Sequence, residues 1–169
     1  MLIYLLGLMG SGKTTIGKKL AKKLAYQFVD LDDLIEKKIG ISIANYFEKF
    51  GEESFRLIEQ QTLRETLELN NTIVSTGGGT PCFFSNMEEI NRIGISFYLK
   101  TDVDLLISRL KGATDQRPLL KNMNSEELKK YLTNLSIKRE PFYQKANFVV
   151  DAKDLTVEKM LVKLDLEDL

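Results

Sequence analysis

The chain has 169 residues, the usual size of a single domain, and 43% of them are hydrophobic and 28% charged, as in ordinary globular proteins. Lysine and arginine together number 24, as do aspartate and glutamate, so no excess charge suggests nucleic acid or a membrane surface as a partner. The sequence contains no histidine, which excludes a Ser-His-Asp triad, histidine-ligated zinc and a histidine general base.

The first predicted elements are a strand, a glycine-rich loop and a helix. The apolar run at 2–6 is typical of a buried strand, and Ile16, Leu20 and Leu24 recur at helical spacing after the loop. Residues 7–15, GLMGSGKTT, fit the P-loop pattern G-x-x-x-x-G-K-[ST]. A chance glycine turn before a helix is the alternative, but the strand and helix on either side favour the P-loop.

The P-loop predicts a binding site for the phosphates of a nucleotide. Its glycines let backbone N–H groups point at phosphate oxygens, and the N-terminus of the following helix adds a favourable dipole. Lys13 is expected to contact the β and γ phosphates, and the hydroxyl of Thr14 is expected to bind Mg²⁺.

Strands and helices alternate along the rest of the chain, which predicts a parallel sheet covered by helices on both faces. Further strands are predicted at 28–30, 72–75, 95–99 and 148–150, and further helices at 32–38, 43–50, 52–69, 86–93, 102–110, 125–143 and 156–164. We expect Ser42 to cap the helix at 43, residues 85–88 to form a capping box, and Pro141 to break the helix at 125–143. We expect one domain with two excursions, at 31–60 and, as a mobile loop, at 111–123.

Two carboxylates follow the second predicted strand. Asp30 and Asp32 are two residues apart, so in an extended strand end they share a face, at the edge where open parallel sheets bind ligands. One could support Mg²⁺ and the other could hydrogen-bond a substrate hydroxyl. Capping of the next helix by Asp32 or Asp33 is an equally good interpretation from spacing alone.

Three glycines, Gly77, Gly78 and Gly79, follow the third predicted strand. Such a run marks a positive φ or a close approach of the backbone to another group. It predicts either backbone donors that face an anionic or polyol ligand or a tight strand-to-helix turn, and the two are equally good interpretations.

Arginines recognise a carboxylate or phosphate through two parallel hydrogen bonds. Arg56 and Arg139 are candidates, although a single arginine is more often a solvated surface charge. Arg117 lies in the glycine- and proline-marked loop, where an arginine commonly balances charge on a transferring phosphoryl group. Arg109 is expected to cap the negative end of its own helix or, as the weaker alternative, to stack on adenine. Cys82 is expected to be inert.

Together these motifs resemble the shikimate kinases, small P-loop kinases related in architecture to the nucleoside monophosphate kinases. The resemblance spans nearly the whole chain. It rests on the order and spacing of residues 7–15, Phe28-x-Asp30-x-Asp32, Gly51-Glu52-x-x-Phe55-Arg56-x-x-Glu59, Gly77-Gly78-Gly79, Arg117-Pro118-Leu119-Leu120 and Arg139-x-Pro141-x-Tyr143.

The resemblance implies ATP-dependent phosphorylation of the 3-hydroxyl of shikimate, in the chorismate route to aromatic amino acids. It implies an α/β, three-layer P-loop fold whose five-stranded parallel sheet has the order 2-3-1-4-5. ATP would be the phosphoryl donor, and one Mg²⁺ would bind per subunit. Apart from the resemblance, we expect the protein to be a monomer.

The resemblance also assigns the site residues. Shikimate would be bound by Asp32, Arg56, Gly78, Gly79 and Arg139, in a pocket lined by Phe47 and Phe55. ATP would be bound by Gly10, Ser11, Gly12, Lys13, Thr14, Thr15, Arg109 and Arg117. The metal would be held by Thr14 and Asp30, and the catalytic residues would be Lys13, Asp32 and the lid arginine Arg117.

Two rival interpretations remain. Another small-molecule P-loop kinase, acting on gluconate or a nucleoside monophosphate, would share the loop, but Gly77-Gly78-Gly79 fits a nucleotide acceptor poorly. A nucleotide-dependent regulatory protein without transfer activity would not need a second-substrate pocket.

The composition also suggests a compartment. Cys82 is the only cysteine, so no intrachain disulfide can form, and no apolar run has the length of a membrane span. The first residues lack the basic segment of a signal peptide. We therefore expect a cytoplasmic protein whose partners are small-molecule substrates, not nucleic acid or membranes.

Overall fold

A computed structural model describes residues 1–110 and 123–165, and its architecture is α/β. The strands are β1 (Leu2–Leu6), β2 (Gln27–Asp30), β3 (Thr72–Ser75), β4 (Ile95–Lys100) and β5 (Phe148–Asp151). They pair in parallel in the order β2-β3-β1-β4-β5, which confirms the expected sheet. The chain leaves β1 towards one side of the sheet and later crosses it to reach β4, so the loop after β1 opens at a topological switch point.

Helices cover both faces of the sheet. They are α1 (Lys13–Leu24), α2 (Leu31–Ile39), α3 (Ile43–Thr66), α4 (Asn86–Ile93), α5 (Val103–Leu110), α6 (Ser125–Tyr143) and α7 (Val157–Lys163). The central strand β1 is buried on both sides, and its side chains alternate between two cores. Leu2, Tyr4 and Leu6 pack with α2 to α6, whereas Ile3 and Leu5 pack with α1 and α7.

Two predicted helices form a single bent element. The predicted helices at 43–50 and 52–69 are joined in α3, which ends at Thr66, three residues earlier than expected. Gly51 adopts φ 77° and ψ 173° inside it, a left-handed φ that favours glycine, and the helix axis bends there. Ser42 caps this helix as predicted, because its hydroxyl accepts from the backbone N–H of Asn45.

Three local predictions were wrong. The N-cap of α2 is Asp30, which accepts from the N–H of Asp32, so neither Asp32 nor Asp33 caps that helix. Ser85 forms no capping box, because its hydroxyl donates to the carboxylate of Glu89 at 2.9 Å instead. Pro141 does not break α6: it lies in the last turn, where its missing N–H removes one bond and only two helical residues follow.

The predicted mobile loop at 111–123 falls almost entirely on residues 111–122, which lie outside the described residues. In the described part of the chain, no helix combines the length and apolarity needed to cross a bilayer.

Candidate active site

A cleft of about 1390 Å³ lies along the carboxyl edge of the sheet. Every predicted site residue in the described part of the chain contributes to its walls. These residues are Gly10, Ser11, Gly12, Lys13, Thr14, Thr15, Asp30, Asp32, Phe47, Phe55, Arg56, Gly78, Gly79, Arg109 and Arg139. Arg117 lies outside the described residues.

The P-loop after β1 has the backbone expected of a phosphate cradle. Gly10 and Gly12 adopt left-handed φ values of 79° and 95°, which other residues rarely adopt. Helix α1 begins directly after Gly12, and no side chain of residues 1–110 or 123–165 caps it. Its first N–H groups therefore remain available to an anion, and the helix dipole favours one there.

Lys13 is held inside the P-loop. Its ammonium donates to the carbonyls of Gly7 at 2.8 Å and Leu8 at 3.0 Å, and the residue is only 8% exposed. The loop therefore wraps around the cation and fixes it at the point where the phosphate cradle opens.

Thr14 and Asp30 form the oxygen-rich part of the cleft. The Thr14 hydroxyl donates to Asp30 Oδ2 at 3.0 Å, while Asp30 Oδ1 accepts from the backbone of Asp32. A hydroxyl and a carboxylate suit Mg²⁺, which takes few protein ligands and fills its shell with water and substrate phosphates. Residues 1–110 and 123–165 contain no group of three or more acidic or thiol side chains that could hold a metal ion by themselves. The residues therefore fit Mg²⁺ held together with phosphates.

Asp32 lies in the first turn of α2 with most of its surface buried. Burial raises the pKa of its carboxyl to about 6, and the negative charges of Asp30, Glu59 and Glu36 add to the rise. The ammonium of Lys13 opposes it. A carboxylate with this pKa is well matched to accepting a proton near neutral pH.

Each glycine of the run at 77–79 lies against a charged side chain of the cleft. A Cβ on Gly77 would meet Asp32 Oδ1 at 2.7 Å, one on Gly78 would meet Arg139 Nη1 at 2.8 Å, and one on Gly79 would meet Arg56 Nη1 at 2.6 Å. None of the three has a positive φ. Close approach of these side chains, rather than a special turn, therefore favours glycine at the three positions.

Arg56 is a largely buried cation of the cleft that several contacts hold in place. Its Nη1 donates to Glu59 at 2.6 Å, and Glu59, which is 1% exposed, also accepts from the hydroxyl of Thr80 at 2.6 Å. The guanidinium lies 4.1 Å from the ring centroid of Phe83, a cation–π contact. Phe55 lies nearby as well, with its centroid 5.3 Å from the guanidinium carbon.

Arg139 approaches the same region from α6. Tyr143, one turn further along that helix, donates its hydroxyl to the carbonyl of Gly78 at 2.5 Å. The Tyr143 ring is fully buried and lies 4.8 Å from the ring of Tyr98, and its burial raises the pKa of its hydroxyl. Tyr143 therefore stays protonated and ties the end of α6 to the glycine run.

Arg109 lies in the last turn of α5, the position from which it was predicted to balance the negative end of that helix. Its guanidinium donates to the carbonyls of Gly10 at 3.2 Å and Ser11 at 3.1 Å, and to that of Ala152 at 3.4 Å. It thus joins the P-loop to the segment after β5.

Cys82 is half-buried, and burial raises the pKa of its thiol to about 11, which agrees with the expectation that it is inert.

Several residues in or beside the cleft were given no role by the sequence. Glu59 follows Arg56 by three residues, and this helical spacing was a usable signal that the two side chains meet. Tyr143 belongs to the motif at 139–143, which marked the residue but not its partner. Thr80 and Phe83 offered no signal, because their partners are distant in the chain.

Comparisons of the sequence and of the structure with known proteins point to the same family. The family model for shikimate kinase matches residues 9–167. The shikimate kinase of Parabacteroides distasonis is 44% identical over 167 residues, which cover 99% of this chain and 94% of that protein. The crystal structure of shikimate kinase from Bacteroides thetaiotaomicron superposes with a TM-score of 0.96 at 38% identity, covering 98% of this chain and 99% of that one. Shikimate kinase from Acinetobacter baumannii in complex with shikimate matches with a TM-score of 0.87 at 35% identity, covering 99% and 95%.

Proposed function

Because the chain belongs to the shikimate kinase family, we propose that its cleft binds ATP on the P-loop and shikimate beside Asp32, Arg56 and Arg139. The chain is an ATP:shikimate 3-phosphotransferase (EC 2.7.1.71). It converts shikimate and ATP into shikimate 3-phosphate and ADP, a step in the biosynthesis of chorismate and aromatic amino acids. The observation that carries the residue assignment is the convergence of one carboxylate and two arginines on the three glycines.

On the donor side, the P-loop N–H groups and Lys13 bind the phosphates of ATP. The ammonium of Lys13 would exchange its carbonyl partners for phosphate oxygens, where it balances the charge that builds up during transfer. Arg109 fixes the loop from outside, and Ser11 and Thr15 complete the walls. Arg117, which lies outside the described residues, is proposed as the lid arginine.

The proposed metal site lies on the donor side of the cleft, next to the P-loop. We assign Mg²⁺, one per subunit, to the hydroxyl of Thr14 and the carboxylate of Asp30, together with phosphate oxygens. When bound, the metal supplies positive charge that neutralises the phosphates being separated.

On the acceptor side, Arg56 and Arg139 bind the carboxylate of shikimate, and Asp32 accepts a hydrogen bond from the reacting hydroxyl. Phosphoryl transfer passes through a loose transition state that needs little base strength, so Asp32 acts mainly by orienting the oxygen. As that oxygen bonds to the γ-phosphorus and the bond from this phosphorus to the leaving ADP oxygen breaks, the proton of the hydroxyl passes to the carboxylate of Asp32. Phe47 and Phe55, whose ring centroids lie 4.5 Å apart, form the apolar wall.

Shikimate-dependent release of ADP tests the function. A coupled assay should show ADP formation with shikimate and only background without it. Gluconate and nucleoside monophosphates should give the same background. Turnover with one of these acceptors and not with shikimate would support a rival kinase, and no turnover at all would support a regulatory protein.

Replacing Arg56 by lysine tests the carboxylate assignment. Lysine keeps the charge but cannot form two parallel bonds, so kcat/KM for shikimate should fall by about one to two orders of magnitude, or roughly 1.5–3 kcal/mol. The KM for ATP should stay nearly constant. Steady-state kinetics with each substrate varied in turn would measure both.

Arg64→Lys is the matched control for that variant. Arg64 lies on the same helix and binds the carboxylate of Glu89 through Nε and Nη2, but it is exposed and does not line the cleft. Its variant should keep wild-type kinetics. Wild-type enzyme should also use a shikimate analogue whose carboxylate is reduced to an alcohol much less well than shikimate, because the contacts between the substrate carboxylate and the arginines would be lost. Equal use of acid and alcohol would contradict the assignment.

The remaining assignments concern the protein as a whole. We propose a single kinase domain, in which residues 31–60 form the acceptor-binding excursion and residues 111–123 the lid. We further propose that it acts as a monomer in the cytoplasm. The presence of only one cysteine supports that compartment, because no intrachain disulfide is needed.

A further inference from the structure

One acidic residue beside the acceptor site has no part in the assignments above. Glu52 lies in the first turn after the bend at Gly51, and its Oε1 accepts from both Nε (3.2 Å) and Nη2 (3.0 Å) of Arg56. These two nitrogens form one side of the guanidinium fork, which can bind a carboxylate through two parallel hydrogen bonds. In this structure, Glu52 therefore holds a donor pair that suits a substrate carboxylate.

The position of Arg56 does not depend on this contact. Nη1 is bound to the buried carboxylate of Glu59, and the guanidinium stacks on Phe83. The side chain of Glu52, in contrast, is 59% exposed, so water screens its attraction to Arg56. Glu52 can leave while the buried contacts keep the guanidinium in place.

Arg139 differs from Arg56 in its partners. Within residues 1–110 and 123–165, no carboxylate forms an ion pair with Arg139. A bound carboxylate would therefore meet one arginine that has no carboxylate partner among these residues and one that must first exchange a carboxylate partner.

We propose that Glu52 is an internal substitute for the carboxylate of the acceptor. It pairs with Arg56 when no acceptor is bound, and the carboxylate of shikimate displaces it. When the product leaves, Glu52 pairs with Arg56 again, so the Nε and Nη2 side of the guanidinium is not left without a carboxylate partner. Glu52 thereby weakens acceptor binding, because it competes with the carboxylate of the acceptor for Arg56. It also limits the discrimination between the acid and a neutral analogue, because Arg56 stays paired with Glu52 when a neutral molecule binds. This inference rests on the proposed role of Arg56.

The variant Glu52→Gln tests the exchange. Glutamine has nearly the same shape but competes poorly for the guanidinium, so the Kd of shikimate, measured by calorimetry, should fall by about two- to five-fold, the range of an exposed ion pair. Benzoate, a simple carboxylate that should compete with shikimate, should bind more tightly by a similar factor. The affinity for the alcohol analogue and the KM for ATP should not change, so the ratio of acid to alcohol affinity should rise.

Glu53→Gln is the matched control, because it removes the same charge from the neighbouring exposed position. It should leave all these affinities at their wild-type values. A weaker binding of shikimate in Glu52→Gln would show that Glu52 positions Arg56, and unchanged binding would show that the two carboxylates do not compete. Tighter binding of shikimate in both variants would show that the effect comes from net charge and not from the contact between Glu52 and Arg56. Each of these three results overturns the inference but leaves the proposed function intact, which the ADP assay and Arg56→Lys test separately.

Discussion

Replacing Lys13 by methionine should lower kcat/KM by about 10²- to 10³-fold or more, the effect of removing a donor aimed at charge that develops in the transition state. Methionine keeps much of the side-chain volume but has no ammonium. The melting temperature should remain close to that of the wild type, because the loss of the bonds to the carbonyls of Gly7 and Leu8 is offset by no longer holding an ammonium that is only 8% exposed. Single-turnover kinetics and thermal unfolding would measure the two effects.

Lys22→Met is the control for this prediction. Lys22 is an exposed lysine in the last turn of the same helix, so its variant should retain activity. Wild-type turnover in Lys13→Met would remove the basis for the P-loop assignment. A large loss of stability in Lys13→Met would instead give the lysine a mainly structural role.

The second large effect is expected for Asp32→Asn. Asparagine retains the shape of the side chain but accepts the hydrogen bond and proton of the acceptor hydroxyl poorly, so most kinase activity should be lost while ATP still binds. In the wild type, kcat/KM for shikimate should rise with pH through an apparent pKa near 6 as Asp32 ionises. Near-normal kcat/KM in the variant would contradict a direct role for this carboxylate.

The same substitution should stabilise the protein. The folded-state pKa of Asp32 is about 6 and its ordinary value 3.8, so the folded state binds the proton more tightly than the unfolded state does. The free energy of unfolding therefore falls as pH rises through this window, and at pH 7 the ionised carboxylate costs roughly 2–3 kcal/mol. Asparagine removes this cost.

Thermal unfolding of both proteins from pH 5 to pH 8, without ligands, would measure the gain. The difference in melting temperature should grow with pH up to about pH 7 and then stay constant. Asp33→Asn, an exposed position in the same turn, should show no such pH-dependent gain. An equal stabilisation in both variants would mean that the effect is one of net charge and not of the burial of Asp32.

The phosphate-binding part of the protein could be predicted from the sequence, because its physics is local. A strand, a glycine loop and a helix are contiguous in the chain, so the pattern at 7–15 is enough to place Lys13 and Thr14 at a helix N-terminus. The alternation of strand and helix likewise predicted a parallel sheet with two covered faces. The order of its strands came from the family resemblance, because periodicity does not encode which strands become neighbours.

The acceptor part depended on contacts between distant residues. Spacing left the interpretation of Asp32 and the three glycines open. The fold excludes capping of α2 by Asp32 and brings α2, α3 and α6 against the glycine run. Arg109 reaches Ser11 across 98 positions and Tyr143 reaches Gly78 across 65, and no local pattern records such pairs.

The sequence by itself thus determined the chemical groups of this protein: a phosphate loop, carboxylates in place of histidine, and arginines able to bind an anion. Only the tertiary structure decided their environments. Burial and neighbouring carboxylates raise the pKa of Asp32. Arg56 donates to the exposed carboxylate of Glu52 on one side and to the buried carboxylate of Glu59 on the other. The physical reason is that desolvation and Coulomb attraction depend on distances through space, which the packing of helices on the sheet sets.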